Sequence, residues 1–333
     1  MVTEPARYRP KQYPPPEFPP RRVARFARTP PAVFSVILGA IGLVLALRRG
    51  FAVLDLPQAP VDLLAGLALA LWVFAAIAYA AKLARRPSVL WEDLKVLPGR
   101  AGLVAGTAGG LALAAVLVPY APGVARIVLF AGLALHLALA LAVIRALAGL
   151  PTEGRGVNPV WHLTFVGFII GGLAAVPLGH EALARGLLWA MLPVAVVIWG
   201  ISLVQLASRV PPAPLRPLLA IHIAPAALFS TVAGLTGQDT LALIFAGLGL
   251  AMLLALLAAG SWIAASGFSA LWGAFTFPLV ALASALLARD GLFVWTGIGV
   301  LIVALGFVPW VLWQVLKLWP GGKLAARTNA AEA

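Results

Sequence analysis

The chain has 333 residues, of which 62% are hydrophobic and 11% charged, and its mean hydropathy is +1.01. A soluble domain carries about 25% charged residues, so a soluble fold is excluded and an all-α integral membrane protein is expected. Cysteine is absent, which removes disulfides, thiolate metal sites and cysteine nucleophiles. The net charge of +13 sits in tails and loops rather than on one face. It therefore reads as a topology signal and not as a nucleic-acid surface.

Residues 1–29 are rich in proline and arginine and lack the apolar core of a signal peptide. They are expected to form an extended cytoplasmic tail. Its basic residues Arg7, Arg9, Lys11, Arg21, Arg22, Arg25 and Arg28 set topology, with anionic headgroups as the alternative role. A membrane domain is expected over 30–318 and a cytoplasmic C-terminal tail over 319–333.

Ten apolar segments follow the N-terminal tail, at 31–47, 61–81, 100–119, 124–147, 158–177, 183–206, 214–235, 240–260, 267–287 and 291–316. Each approaches the ~20 residues that cross a bilayer. Short turns such as Ala121-Pro122-Gly123 make successive helices antiparallel, which gives five hairpins. With the N-terminus inside, only Arg48, Arg49, Arg126, Arg185 and Arg289 of the 24 Lys and Arg residues fall outside. This bias places both termini in the cytoplasm.

The ninth segment carries the most distinctive pattern, Phe275-Thr276-Phe277-Pro278 deep inside an uncharged run. Proline removes a backbone donor and displaces the carbonyl four residues earlier, so a broken helix is expected, with polar backbone facing protein or a watery passage. Either phenylalanine is bulky enough to block a narrow lumen, while simple apolar packing is the alternative. Pro225 also falls within an odd-numbered segment, but Pro193 and Pro309 lie in even ones. An inner ring of odd helices would concentrate Pro225 and Pro278 along a central axis.

Asp62, Glu181, Asp239 and Asp290 lie at segment ends, and no carboxylate sits at mid-membrane. A proton- or sodium-coupled carrier usually needs one there, so passive conduction is favoured. His136, His162, His180 and His222 show no metal-ligand spacing. His222, three residues before Pro225, is expected to donate to carbonyls freed by that proline, with a pore-lining role as the alternative. The glycines of TAGGLALA and GFIIGGLAAVPLG permit close helix approach rather than nucleotide binding. No nucleophile, phosphate cradle, metal or cofactor site stands out, so an enzyme is not expected.

Four stretches together carry a resemblance: TPPAVFSVILGAIGLVLALRR at 29–49, VNPVWHLTFVGFIIGGLAAVPLG at 157–179, PPAPLRPLLAIHIAP at 211–225 and WGAFTFPLVALASALL at 272–287. They resemble the tellurite-resistance/dicarboxylate transporter family, which includes the bacterial tellurite-resistance protein and the plant guard-cell slow anion channels. The resemblance implies ten helices as five hairpins in a quasi-fivefold ring, a pore lined by the odd helices, and a homotrimer with one pore per subunit. It also implies a phenylalanine plug in the ninth helix, for which Phe277 is the first choice and Phe275 the second. Pro31, Pro225 and Pro278 match positions where pore helices bend, and Phe34 is a further lumen candidate. The N-terminal tail is short and lacks the serine- and threonine-rich segments of the plant members.

The expected function is a passive channel of the bacterial inner membrane for small inorganic or organic anions, tellurite among them. The alternatives are a proton-coupled C4-dicarboxylate or sulfite carrier and, in another class, a membrane-embedded enzyme or scaffold.

Overall fold

A computed structural model describes residues 24–333. Arg7, Arg9, Lys11, Arg21 and Arg22 of the basic tail lie outside the described residues. The helices are α1 Val33–Val53, α2 Ala59–Arg85, α3 Val89–Lys95, α4 Leu97–Leu117, α5 Pro122–Ala148 and the short α6 His162–Ala175. They continue with α7 Glu181–Ser208, α8 Ala213–Leu235, α9 Asp239–Ala258, α10 Gly260–Ile263, α11 Ala270–Leu287, α12 Leu292–Leu316 and α13 Lys323–Arg327. Among the described residues there is no strand, and 9 helices are long and apolar enough to cross a membrane.

The fifth expected segment, 158–177, is only the short helix α6. It starts late because Asn158 turns the chain, its Oδ1 accepting from the amide of Val160 at 3.1 Å. It is also irregular: a π turn over His162–Val166 tightens into a 3-10 turn over Gly167–Gly171 before the α turn Gly172–Ala175. Gly167, Gly171 and Gly172 weaken helix propensity here. Gly172 is nevertheless required, because a Cβ on it would stand 2.9 Å from Val232 Cγ2 of α8.

Burial divides the helices by order in the chain. The most apolar windows of α1, α4, α8 and α11 are 61–89% buried within the subunit, whereas those of α2, α5, α7, α9 and α12 are 17–28% buried. The first set, with α6, forms the interior. There α1 packs on α4 and α11, α8 packs on α11 and α6, and α6 packs on α4.

The second set turns Leu63, Ile127, Leu203 and Val204 outward, each more than 65% exposed. A lipid environment makes that arrangement favourable, since in water such a surface would drive association. Trp295 and Trp313 are also exposed, at opposite ends of α12. Their separation along the helix, roughly 27 Å at 1.5 Å per residue, matches a hydrocarbon core flanked by interfacial aromatics.

Glycine makes the interior close. On α4, a Cβ at Gly102 would lie 2.1 Å from the Pro31 carbonyl oxygen, so no larger residue lets the start of α1 approach. On α1, Gly39 faces Thr276 and Gly42 faces Phe277 and Val280 of α11.

Two loop regions hold more structure than the sequence suggests. The second loop contains α3, where Asp93 is fully buried and accepts from Lys82 Nζ at 2.8 Å and Tyr79 OH at 3.0 Å. Lys82, also fully buried, donates to the Thr29 carbonyl at 3.1 Å. The segment expected as a C-terminal tail folds onto this site. Leu324 of α13 is buried, and the Ala331 amide donates to Asp93 Oδ1 at 2.8 Å. Glu332 pairs with Arg28 at 2.8 Å, and the Ala333 amide donates to the Ala27 carbonyl at 3.1 Å.

The expected break at Pro278 is not seen. The α-helix runs unbroken from Gly273 to Leu287 with Pro278 inside it, and the change of helical type falls earlier, at the 3-10 turn Ala270–Trp272. Thr276 Oγ1 donates to the Gly273 carbonyl at 2.7 Å, which tightens the turn before the proline. The missing N–H is tolerated because α11 is enclosed by α1, α8 and α12 rather than by lipid.

Candidate functional site

All five interior elements meet at one hollow. Its lining includes Ala32 just before α1, Ser35 and Leu38 of α1, Ala101 and Ala105 of α4, Leu163 of α6, Ile221 and Ala224 of α8, and Ala274, Phe277 and Pro278 of α11. At about 50 Å³ it has room for a few water molecules. Among the described residues Ser35 is its single polar side chain. Pro278 offers no N–H to the carbonyl of Ala274, and both residues are in the lining.

A second, smaller hollow of about 20 Å³ lies beside it, among His162, Gly167, Ile170, Pro225, Leu228 and Phe277. Phe277 thus belongs to both linings, as do Leu163, Ile221 and Ala224, and it is the one aromatic ring of the four. It is 5% exposed, and its ring rests on α1, where a Cβ at Gly42 would be 2.9 Å from Phe277 Cδ2.

The two phenylalanines of the ninth segment part company. Phe275 is half-buried and lies edge-on to Trp272 at 5.6 Å and to Phe307 of α12 at 6.2 Å. It belongs to an aromatic cluster between α11 and α12 and lines neither hollow. Phe34 is also away from both: its ring covers Gly106 of α4 and lies edge-on to Tyr79 of α2. Pro31 is buried with its carbonyl against Gly102, whereas Pro225 lines the smaller hollow.

His222 does not donate to carbonyls freed by Pro225. Its Nδ1 instead lies 3.0 Å from His162 Nε2, the two rings nearly perpendicular at 86°. Its own carbonyl accepts from Trp199 Nε1 at 3.2 Å. The outer nitrogens of the pair, His162 Nδ1 and His222 Nε2, are buried without a hydrogen-bond partner among the described residues. His222 also reaches a polar recess that Arg100, Glu153, Asn158, Ser202 and Gln205 help to line.

Sequence spacing cannot bring together two histidines 60 positions apart. The one available signal was that both occupy the first half of odd-numbered segments, and hence similar depth. His136 finds a different partner, Thr107 Oγ1 of α4, at 2.7 Å. Among the described residues no group of three or more His, Asp or Glu side chains could hold a metal ion.

Fold and hollow together define the class: an all-helical, multi-pass membrane protein whose interior elements converge on a small, almost wholly apolar hollow. Residues 28–316 match the model of the family described as Voltage-dependent anion channel (SLAC1), and the chain belongs to that family. The family comprises anion channels and transporters rather than enzymes, in agreement with the resemblance read from the sequence. Among curated proteins no match is found.

Proposed function

We propose that the chain is a passive channel for small anions in which the Phe277 ring closes a path between α1, α4, α6, α8 and α11. The observation that carries this reading is the placement of Phe277 in both hollows and against Gly42. The five interior elements also contain no Asp or Glu to bind a coupling cation. An aromatic plug on an apolar lining holds no ion tightly, which suits flux over storage.

Ten crossings arranged as five hairpins belong to the same proposal. Nine crossings would put the two ends of the chain on opposite faces, yet Ala333 donates to Ala27. This contact supports α6 as the tenth crossing. Cytoplasmic termini follow from the Lys and Arg bias. A homotrimer, the bacterial inner membrane and tellurite among the transported anions rest on the family resemblance.

The test is current through purified protein in planar bilayers, wild type against Phe277→Ala, in chloride and nitrate without a pH gradient. Phe277→Ala is expected to conduct more, with reversal at the anion equilibrium potential. Silence from both folded proteins would sink the channel reading. A specific observation favours a second reading, a proton-coupled carrier of C4-dicarboxylates or sulfite: His162 and His222 share a hydrogen bond beside the smaller hollow, a pairing through which a proton can be relayed. Flux that appears only with a proton gradient would select it.

A further inference from the structure

We infer that Arg49 forms a binding station for a small monovalent anion beyond the Phe277 ring, on the side away from the larger hollow. This rests on the reading of Phe277 as a gate.

The placement follows from helix register. Both α1 and α11 are interior elements, and their contacts advance together along the chain: Gly39 meets Thr276, Gly42 meets Phe277, and Arg49 Nη1 donates to the Ser284 carbonyl at 2.9 Å. Seven residues separate Gly42 from Arg49, and seven separate Phe277 from Ser284. Two helical turns, about 10 Å, thus carry both helices from the ring to the arginine on the same face. The larger hollow is lined by earlier residues, Ser35 and Leu38 of α1 and Ala274 of α11. Arg49 is therefore the cation an ion meets after passing the ring.

Arg49 differs from the arginines around it. Arg48 is engaged by Asp62, Tyr120 and the Val116 carbonyl. Arg289 lies over Gly234, 3.7 Å from Asp239. Among the described residues Arg49 has no carboxylate partner, and its side chain makes one hydrogen bond, to Ser284. A guanidinium carries five N–H donors. Among the described residues none of the remaining nitrogens of Arg49 is buried without a partner, so these donors are accessible to a water-sized group. Capping its own helix end does not account for the residue, since it precedes the last turn of α1. Arg289 lies near enough to act electrostatically on it, which raises the positive potential there. A half-buried cation with spare donors and a second cation beside it attracts an anion that is already stripped of part of its water.

The experiment compares chloride currents of Phe277→Ala with those of Phe277→Ala/Arg49→Gln and Phe277→Ala/Arg49→Lys over a range of symmetrical chloride concentrations. Arg49→Gln is expected to raise the half-saturating chloride concentration roughly threefold to tenfold, with the gap narrowing as impermeant salt screens the charge. Arg49→Lys keeps the charge and is expected to stay near the parent. Identical saturation curves for the Gln variant and its parent overturn the station while leaving the channel reading intact. If Phe277→Ala passes no current, the channel reading falls instead, and the station is judged by binding of radiolabelled chloride to purified protein. Loss of that binding in Arg49→Gln, with recovery in Arg49→Lys, supports it, and unchanged binding rejects it.

Discussion

Replacing Gly42 by alanine tests the proposed gate without altering the gating ring. The added Cβ would stand 2.6 Å from Val280 Cγ2 and 2.9 Å from Phe277 Cδ2, where carbon atoms rest at about 3.5–4.0 Å. These two clashes act differently. Val280 is fully buried in α11 and stays in place wherever the ring goes, so its clash lowers the stability of open and closed forms alike. The ring contact exists only while Phe277 lies on α1. Overpacking costs about 1–3 kcal/mol. If the ring contact takes about 1 kcal/mol of that, the open-to-closed ratio rises roughly fivefold. Open probability in planar bilayers measures the second effect, and thermal unfolding in detergent measures the first. Gly39→Ala is the control, because its Cβ would meet Thr276 at 2.2 Å and the Phe277 amide nitrogen rather than the ring. It is expected to lose stability without gaining open probability. A folded Gly42→Ala protein with unchanged open probability, or an equal gain in Gly39→Ala, would refute the reasoning.

Lys82→Met leaves the Asp93 carboxylate buried without its cation, a change that costs about 3–5 kcal/mol, and a clear fall in the unfolding temperature is expected. An unmoved transition would mean that the Lys82–Asp93 pair is not sealed from water. Phe275→Ala removes packing against Trp272 and Phe307 but should leave open probability unchanged, since the ring lines neither hollow. Its stability loss should fall below the ~3 kcal/mol at which full burial of a phenylalanine begins to count. A current gain exceeding that of Phe277→Ala would transfer the gating role to Phe275.

Hydropathy and length located nine of the ten expected segments as long apolar helices, whereas 158–177 holds only the short α6. The inner and outer sets were less legible. The glycines of α4, which allow its 89% buried window, were visible as small-residue runs, but which neighbour they admit depends on Pro31, some 70 positions away in the chain. The unbroken α11 was misread because proline was weighed as a local breaker, whereas enclosure by α1, α8 and α12 decided the outcome. Phe277 and Phe275 could not be separated by sequence, being two positions apart on an uncharged helix. The ring that falls toward α1 is the one opposite a glycine. Pairing of Lys82 with Asp93 was hidden by counting Lys82 as a topology charge, which ignored a carboxylate in the same loop.

The proposed path and its proposed gate converge on α1. Its start follows Thr29, whose carbonyl is held by buried Lys82, and Ala32 just before it joins Ser35 and Leu38 of its first turns in lining the hollow. The middle of the helix offers Gly42 as the seat of the ring, and Arg49 follows two turns later. Lys82 is held in turn by Asp93, which also accepts from Ala331 near the C-terminus. A small displacement of α1 relative to α11 would change the ring contact and the arginine contact together, because both are fixed by one helix pair in one register. Packed interfaces of this kind shift between discrete arrangements rather than deform continuously. The proposed gate therefore needs no charge within the ring's own surroundings, and the charges can stand where they do: Arg49 beyond the ring and the Lys82–Asp93 pair at the opposite end of the same helix.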